Sequence, residues 1–420
     1  MPPRTSRGKI FWYAIIGDER WTTSRSPITL NSWPHLRIRT SDDETTRVTT
    51  HRAVVEALSR AASDGESVVL ATVVRVTGSS YGGVGARMLI RVDGSTVGLV
   101  SGGCLESDLA EHARRVNGTG RAEVVRYDTR DDDDAPWGLG LGCNGVIDVL
   151  VEPLPPKDAS DIASLIDRAL ASDTSSVLAT VIQAGGSENL PLSVGAHALL
   201  TGDKIETTGN WGSGSALKSA ASAVAEALAA TRRGLVRDYG GIEVAFEVVK
   251  PAVQLVVCGS GPDVLPISRS ASQLGWDVTV VDHRPVAHAQ RFSGARVVEC
   301  AEAIRLADVV RLTPQTAAVV MSHHYTRDMD YVQALLASSV AYVGVLGPRA
   351  RTEQMLTELA ARGGEQANPG NRLFAPVGMD IGGEGPEAIA LSIIAEISAV
   401  ISARAGGHLR DRRGPLHASG

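Results

Sequence analysis

The spacing of apolar residues becomes regular from His51 onward. Val54, Val55 and Leu58 recur at helical intervals, which predicts a helix with one buried face. Short apolar runs bounded by turn residues follow, and such runs are typical of strands. The predicted elements are strands over Ser67–Val76, Arg87–Val92, Thr96–Val100, Ala122–Tyr127 and Val146–Val151, and a helix over Leu105–Val116. The turn Asp93-Gly94 between two of the apolar runs predicts a hairpin.

The same pattern recurs about 108 to 110 residues later. Three matches occur in the same order: Val69–Val73 with Val177–Val181, Gly85–Leu89 with Gly195–Leu199, and the turn Asp93-Gly94 with Asp203-Lys204. One such match could arise by chance, but several in one order indicate an internal duplication. Residues 51–153 and 158–250 are therefore predicted to form two related α/β units.

A third region begins with the apolar run Val253–Cys258, which continues into Gly259-Ser260-Gly261-Pro262 and a helix to Leu274. A second apolar strand ends in Asp282. In such a β-turn-α-β unit, glycines let the backbone approach a phosphate at a helix N-terminus, and the acid after the second strand can bond a ribose hydroxyl. The third glycine of the dinucleotide fingerprint is Val264 here. The alternative is that Gly259 and Gly261 only make a tight turn.

Short apolar strands and helices then alternate to the last predicted helix, from Pro386 to about Ser402. The strands are predicted at Val297-Val298, Ala317–Met321 and Val340–Val345. This alternation is typical of a parallel sheet covered on both faces, which binds ligands beyond the carboxyl ends of its strands. The loops at 322–324, 347–351 and 380–383 should therefore share one crevice with Gly259, Gly261 and Asp282. Arg349 and Arg351 could hold a phosphate there or form a solvated helix start, and adjacent His323 and His324 are not expected to form a two-histidine metal site.

The predicted fold class is α/β, with two repeated N-terminal α/β units followed by a C-terminal Rossmann-like parallel-sheet domain. The predicted organisation is a flexible extension over 1–46, a duplicated domain over 47–250, a Rossmann-like domain over 251–403 and a flexible tail over 404–420.

The composition and net charge argue for some classes of protein and against others. Hydrophobic residues make up 43% of the chain and charged residues 21%, as in ordinary globular proteins. A net charge of −6 argues against a nucleic-acid binder, which needs a cationic surface. The apolar run Ile10–Ile16 is too short to span a bilayer and lacks a small-residue cleavage site, so we expect a cytoplasmic protein without membrane insertion.

The four cysteines are dispersed, which indicates neither a disulfide framework nor a structural zinc site. Cys104 and Cys143 are flanked by glycines and occur in the first repeat alone, where Cys104 corresponds to Gly214 of the second repeat. The segment Asp131–Gly142, with four consecutive aspartates, also lacks a counterpart. A thiolate is a soft ligand suited to a transition metal or to carrying sulfur. The alternative is a small buried side chain, which is the interpretation favoured for Cys258 and Cys300.

Several segments resemble the XdhC/CoxI family over roughly residues 51–402. In the first repeat these are Gly85–Leu89, Ser101–Glu106 and Gly140–Cys143; in the third region they are Val280–Pro285, Tyr342–Arg349 and Ala375–Gly382. Two segments depart from the family pattern: Gly142-Cys143-Asn144-Gly145 replaces Gly-Cys-Gly-Gly, and Ser322-His323-His324 replaces Thr-His-Asn.

The resemblance implies an accessory protein for molybdenum hydroxylases of the xanthine or carbon monoxide dehydrogenase type, rather than a self-sufficient enzyme. Such proteins bind the molybdopterin form of the molybdenum cofactor, protect it during sulfuration and deliver it to the apo-hydroxylase. A cysteine desulfurase as a further partner and a homo-oligomer are also expected, and a nucleotide in the Rossmann crevice stays open.

The predicted functional residues combine the resemblance with the spacing arguments. Cys104 and Cys143 are predicted to be the catalytic residues and to approach one another or a shared cavity. The predicted cofactor-binding residues are Arg87, Gly102, Gly103, Gly142, Gly259, Gly261, Asp282, His323, Gly347, Arg349 and Asp380; no metal-ion site is predicted.

Two other function classes stay open. Gly259, Gly261 and Asp282 are compatible with an NAD(P)-dependent oxidoreductase, although no convincing proton-relay constellation accompanies them. A sulfur-transfer enzyme using Cys104 or Cys143 would overlap with the accessory role.

Overall fold

The computed structural model describes residues 50–78, 80–128, 145–185, 192–211, 219, 221–225, 228, 234–284, 289–362, 370–411 and 413. The predicted extension over 1–46 lies outside these residues, as does the chain beyond residue 413. None of the described helices is long and apolar enough to cross a membrane.

The first unit folds into an antiparallel sheet with two helices. Its elements are α1 (His51–Ser63), β1 (Val68–Gly78), β2 (Arg87–Ile90), β3 (Thr96–Gly98), α2 (Glu106–Thr119), β4 (Glu123–Asp128) and β5 (Gly145–Leu154). The Thr50 side chain accepts a hydrogen bond from the Ala53 amide at 3.2 Å and so caps the start of α1. The predicted hairpin is confirmed as β2 and β3, although β2 ends before Val92, which is 73% exposed beside the turn.

The second unit repeats this arrangement. Its elements are α3 (Pro156–Leu170), β6 (Ser176–Gln183), β7 (His197–Thr201), β8 (Lys204–Thr208), β9 (Leu235–Asp238) and β10 (Glu243–Val249). Among the described residues the strand order is β3-β2-β1-β5-β4 in the first sheet and β8-β7-β6-β10-β9 in the second. Equivalent strands occupy equivalent places, so the predicted duplication is confirmed.

The two units share one hydrophobic core. Helix α1 packs against α3, and equivalent leucines of both sheets meet beneath them. The repeat-related residues in this core are Leu58 and Ile166, Leu70 and Leu178, and Leu89 and Leu199, all at most 2% exposed. Each unit therefore buries its apolar face, which it could not bury alone, against the equivalent face of the other unit.

Two buried polar pairs cross between the units in the same reciprocal way. Arg87 of the first unit forms an ion pair with Glu247 of the second. His197, the repeat equivalent of Arg87, lies 3.0 Å from Glu152 of the first unit. Glu152 is opposite Leu70 and Glu247 is opposite Leu178, so the two glutamates also occupy equivalent positions.

The third region is a parallel α/β sheet. Its elements are β11 (Gln254–Cys258), α4 (Val264–Gln273), β12 (Asp277–Asp282), β13 (Ala295–Glu299), α5 (Leu306–Val309), β14 (Thr316–Val320), α6 (Tyr325–Leu336), β15 (Tyr342–Val345), α7 (Arg349–Ala361), β16 (Leu373–Phe374) and α8 (Pro386–Ile401). The strand order is β13-β12-β11-β14-β15-β16, the doubly wound Rossmann order. Alternate residues of β11 enter clusters on opposite faces, with Val256 and Cys258 on one and Leu255 and Val257 on the other.

Candidate functional site

Cys104 lies in the loop that connects β3 to α2. The Ser101 hydroxyl donates to Glu106 Oε2 at 2.5 Å, and the Ser101 amide donates to Glu106 Oε1 at 3.0 Å. The amides of Gly103 and Leu105 donate to the Ser101 hydroxyl oxygen, each at 3.2 Å. These bonds close the loop into a fixed turn at the start of α2. Cys104 is a free, partly exposed thiol at the edge of the first unit's core.

The two glycines before Cys104 leave the loop surface open. Gly103 has a φ of 106°, which a residue with a side chain rarely adopts, and a Cβ there would meet nothing within 4 Å. A Cβ on Gly102 would lie 3.6 Å from the Tyr81 ring. That ring is 67% exposed. The thiol loop therefore lies beside an exposed aromatic surface.

Tyr81 was not among the residues predicted to be functional. Its signal in the sequence is weak, because an aromatic residue in a polar Gly-Ser-Ser-Tyr-Gly-Gly segment is compatible with any loop. The proximity of Tyr81 to Gly102 depends on the approach of two loops. A Cβ on Gly82 would lie 2.6 Å from the Val100 carbonyl oxygen, so the backbones meet there directly.

Cys143 and Gly142 lie outside the described residues, within the connection from β4 to β5. The predicted approach of Cys104 and Cys143 to one another or to a shared cavity therefore stays a prediction. Asp131–Gly142 and Gly214 fall outside the described residues as well.

Arg87 is buried between the two units and is 6% exposed. Its Nη1 donates to Glu247 Oε1 and to the Gly85 carbonyl, each at 3.0 Å, and its Nη2 donates to Glu247 Oε2. Burial would raise the pKa of Glu247, but the Arg87 guanidinium holds it below its usual value. These contacts give Arg87 a role in joining the units and do not support its predicted contact with a cofactor.

Gly259 allows two strand ends of the Rossmann-like region to meet. Its φ is 139°, and a Cβ there would lie 2.5 Å from the Met321 carbonyl oxygen beyond β14. A Cβ on Gly261 would lie 2.4 Å from Asp263 Oδ1. The backbone contact at Gly259 leaves no room for a side chain there, which favours the tight-turn interpretation at that position.

Asp282 is engaged within the chain. Its carboxylate accepts hydrogen bonds from the Ser260 hydroxyl, from the Arg284 amide at 3.0 Å and from Arg284 Nε at 3.2 Å. Burial would raise its pKa, but the bonds from Arg284 and Ser260 outweigh burial and hold the pKa at about 2. The carboxylate is ionised and already bonded, so a ribose hydroxyl would have to compete for it.

The N-terminus of α4 offers little to an anion. Pro262 has no amide hydrogen, and the Val264 and Leu265 amides donate to the Gly261 and Pro262 carbonyls at 3.1 and 3.3 Å. Asp263 occupies the N-cap position, so an acidic residue stands at the helix end that binds a phosphate in dinucleotide-binding folds.

His323 stands at the switch point between β11 and β14. Its φ of 61° is unusual for a residue with a side chain, and strained residues of this kind cluster at functional sites. Its Nε2 lies 2.7 Å from Asp263 Oδ2, and its side chain is 59% exposed. Sequence reasoning placed His323 in this crevice but missed Asp263, because nothing local in the sequence connects the two.

The neighbouring loop is fixed by a buried acid. Asp328, 1% exposed, accepts from the Ser322 amide at 3.0 Å and the Ser322 hydroxyl at 2.6 Å. Arg351 Nη2 donates to the other oxygen of Asp328 at 2.7 Å. Gly347, with a φ of 125°, lies against the Arg351 side chain. Arg351 therefore fixes the loops, whereas Arg349 and Asp380 are exposed.

These contacts link the loops at 259–263, 282–284, 321–324 and 347–351 along the carboxyl edge of the sheet. That residues 380–383 join them in one crevice stays a prediction. Within the described part of the chain, no group of three His, Cys, Asp or Glu side chains could hold a metal ion.

Comparison with known proteins agrees with this architecture. The model of the XdhC and CoxI family matches residues 61–128, and that of the XdhC Rossmann domain matches residues 255–397. A protein of Bacillus subtilis that is named as a probable subunit of xanthine dehydrogenase is 30% identical over 80% of this chain and 93% of its own length. The molybdenum cofactor insertion chaperone PaoD of Escherichia coli is 23% identical over 83% of this chain and 88% of its own length.

A crystal structure described as a xanthine dehydrogenase from Bacillus halodurans matches with a TM-score of 0.65 at 30% identity. The match covers 84% of this chain and 96% of that chain. Sequence and fold therefore agree over both the duplicated region and the Rossmann-like region, and the chain belongs to the XdhC and CoxI family.

Proposed function

We propose that this protein is a molybdenum cofactor-binding chaperone that supports sulfuration of the cofactor and its insertion into a molybdenum hydroxylase of the xanthine or carbon monoxide dehydrogenase type. The names of the relatives support the class of function. The observation that carries the proposal is Cys104, a partly exposed thiol that follows two glycines in a loop beside an exposed aromatic ring.

The residues around Cys104 fit a molybdopterin ligand chemically. A thiolate is a soft ligand for molybdenum, and the Tyr81 ring offers a flat surface to a planar pterin. Gly102 and Gly103 let such a ligand approach the backbone. When bound, the cofactor supplies the redox-active metal of the future hydroxylase. Glu106 and Ser101 hold the loop and thereby position the thiol.

The finer parts of the proposal concern partners. Cys143 would supply a second thiol near Cys104, an apo-hydroxylase would accept the cofactor, and a cysteine desulfurase would supply sulfur. We further propose a cytoplasmic homo-oligomer.

Replacing Cys104 by Ser tests the proposal. We expect Cys104→Ser to keep the fold, because a partly exposed loop thiol contributes little packing. The variant should co-purify with less molybdopterin from cells that make it, and the partner hydroxylase should accumulate without activity. The matched control is Cys258→Ser, which should lower stability by about 1–3 kcal/mol because it places a hydroxyl in an apolar core. Full hydroxylase maturation by both Cys104→Ser and Cys143→Ser would exclude the thiol mechanism.

An NAD(P)-dependent oxidoreductase is the alternative. The carboxylate of Asp263 at the start of α4 and the saturated carboxylate of Asp282 both disfavour a dinucleotide at the usual place. A nucleotide elsewhere in the crevice would have to use the exposed His323 and Arg349. Co-purification of a nicotinamide nucleotide, or NAD(P)-dependent turnover by the isolated protein, would favour the alternative.

A further inference from the structure

A cavity of about 230 Å³ lies where the two units of the duplicated region meet, away from the Cys104 loop. Residues of both units line it, among them Gly120, Ala122, Glu152, Asp158, Gly195 and Gly209. Three of these are glycines, which leave backbone rather than side chains at the cavity wall. Among the described residues that line the cavity, none is a lysine or an arginine.

Glu152 is the buried polar group of this cavity, and its residue is 2% exposed. Its Oε2 lies 3.0 Å from His197 Nε2, while His197 Nδ1 lies 3.0 Å from the Thr180 hydroxyl. Its Oε1 is buried without a hydrogen-bond partner in the described part of the chain. A buried carboxylate oxygen that lacks a donor is costly, so its presence calls for an explanation.

In the other unit, the glutamate equivalent to Glu152 has hydrogen-bond donors on both of its carboxylate oxygens. Glu247, the equivalent of Glu152, receives Arg87 on both carboxylate oxygens. The guanidinium also donates to the Gly85 carbonyl at 3.0 Å. A planar guanidinium carries several N–H donors in a fixed arrangement, so it can bond all of these acceptors at once. A compact cation cannot bond them in the same way.

The equivalent acceptors around the cavity are the Glu152 carboxylate and the Gly195 carbonyl, but His197 stands in place of Arg87. Gly195 is the equivalent of Gly85. Gly209 lines the cavity, and a Cβ built on it would lie 3.9 Å from the Gly195 carbonyl oxygen. His197 stands where Arg87 stands in the first copy but is shorter, and it reaches one oxygen of Glu152. Asp158, an exposed acid, adds a second negative charge to the lining.

We propose that this cavity is a binding site for a small organic cation with a guanidinium head, held by the Glu152 carboxylate and the Gly195 carbonyl. The ligand would supply to Glu152 what Arg87 supplies to Glu247. Asp158 would favour the approach of the cation from solvent. The proposal rests on the duplication and the cavity and is independent of the role of Cys104.

Calorimetric titration of the full-length protein with methylguanidinium chloride tests the proposal, with sodium chloride at equal ionic strength as the reference. We expect saturable binding of methylguanidinium and none of sodium. Glu152→Gln should weaken binding at least about tenfold, the loss of a charge-assisted bond. Asp158→Asn should weaken it about twofold to fivefold, as for a partly solvated charge. Asp161→Asn is the matched control on the same helix, because Asp161 pairs with Lys157 outside the cavity and should leave binding unchanged.

A second variant covers the case in which Glu152→Gln does not fold. His197→Arg would place the guanidinium of the first copy in the second, so it should abolish methylguanidinium binding and raise the melting temperature. The absence of binding to the wild type would overturn the proposal. Equal binding by the wild type, His197→Arg and Asp158→Asn would overturn it as well, as would an equal response to sodium.

Discussion

At the scale of single residues, the ion pair between Arg87 and Glu247 joins the two units in the interior. Both side chains are at most 10% exposed, and the two residues are 160 positions apart in the chain. Removing one partner of a buried pair leaves an uncompensated charge, which costs more than the intact pair contributes.

Arg87→Met should therefore lower the free energy of unfolding by about 3–5 kcal/mol. The double variant Arg87→Met/Glu247→Met should recover much of this loss, because no buried charge is left. Urea unfolding followed by circular dichroism measures both. Lys157→Met is the control: its partner Asp161 is on the surface, where such a pair contributes about 0–1 kcal/mol. A loss in Arg87→Met no larger than in this control would show that the pair is unimportant.

Asp282 should make stability depend on acid pH. Its pKa of about 2 lies below the value of about 3.9 in an unfolded chain. A carboxyl group with a depressed pKa contributes stability above the unfolded value, and the contribution is lost as pH falls from about 4 through about 2.

Asp282→Asn should therefore be less stable than the wild type at pH 6, and the difference should shrink steadily between pH 4 and pH 2. Urea midpoints measured across this range give the answer. Asp380→Asn, a change at an exposed acid in the segment between β16 and α8, should parallel the wild type throughout. A difference between Asp282→Asn and the wild type that stays constant down to pH 2 would contradict the assigned contacts.

At the scale of elements, the turn before β2 is shaped by the opposite unit. Gly85 has a φ of 90°, and a Cβ there would lie 2.2 Å from Glu247 Oε1. Gly65, in the turn after α1, has a φ of 71° and nothing within 4 Å of a Cβ. Both glycines have a positive φ, but only at Gly85 would a Cβ collide with another side chain.

Gly65→Ala should thus cost about 1–2 kcal/mol, the strain of a left-handed backbone with a side chain. Gly85→Ala should cost about 1–3 kcal/mol more, because the new methyl group displaces a carboxylate that is bonded to Arg87. Chemical unfolding of the two variants side by side measures the difference. Equal losses would mean that Glu247 moves away at no cost.

At the scale of the whole molecule, the first unit depends on the second. Its helix α1 is buried against α3, and Arg87 has its partner in the second unit. The predicted duplicated domain, 47–250, would keep both units together.

A fragment of residues 47–155 should not form a folded monomer, whereas residues 47–250 should fold. The fragment leaves its apolar face and Arg87 without partners; it should aggregate or form a dimer in which Glu152 of a second copy takes the place of Glu247. Sedimentation and the dispersion of amide resonances distinguish these states. A well-folded monomer of residues 47–155 would contradict the shared core.

The secondary-structure elements, the duplication and the parallel sheet were predictable from the amino-acid sequence. These properties follow from local periodicity, such as the helical spacing of Val54, Val55 and Leu58, and from segments that recur in order. Backbone geometry imposes these periods on any chain, so they can be read without knowing the fold. The residues of the crevice edge, including His323 and Gly347, were likewise predictable because parallel strands end at one edge.

The contacts between distant side chains depend on how the units and sheets pack. The pairing of Arg87 with Glu247, of His323 with Asp263 and of Glu152 with His197 joins positions 45 to 160 residues apart. No local period encodes such contacts, because they depend on how whole sheets pack against each other. For this reason Arg87, predicted to face a cofactor, lies instead between the units, and the cavity beside Glu152 had no signal in the sequence.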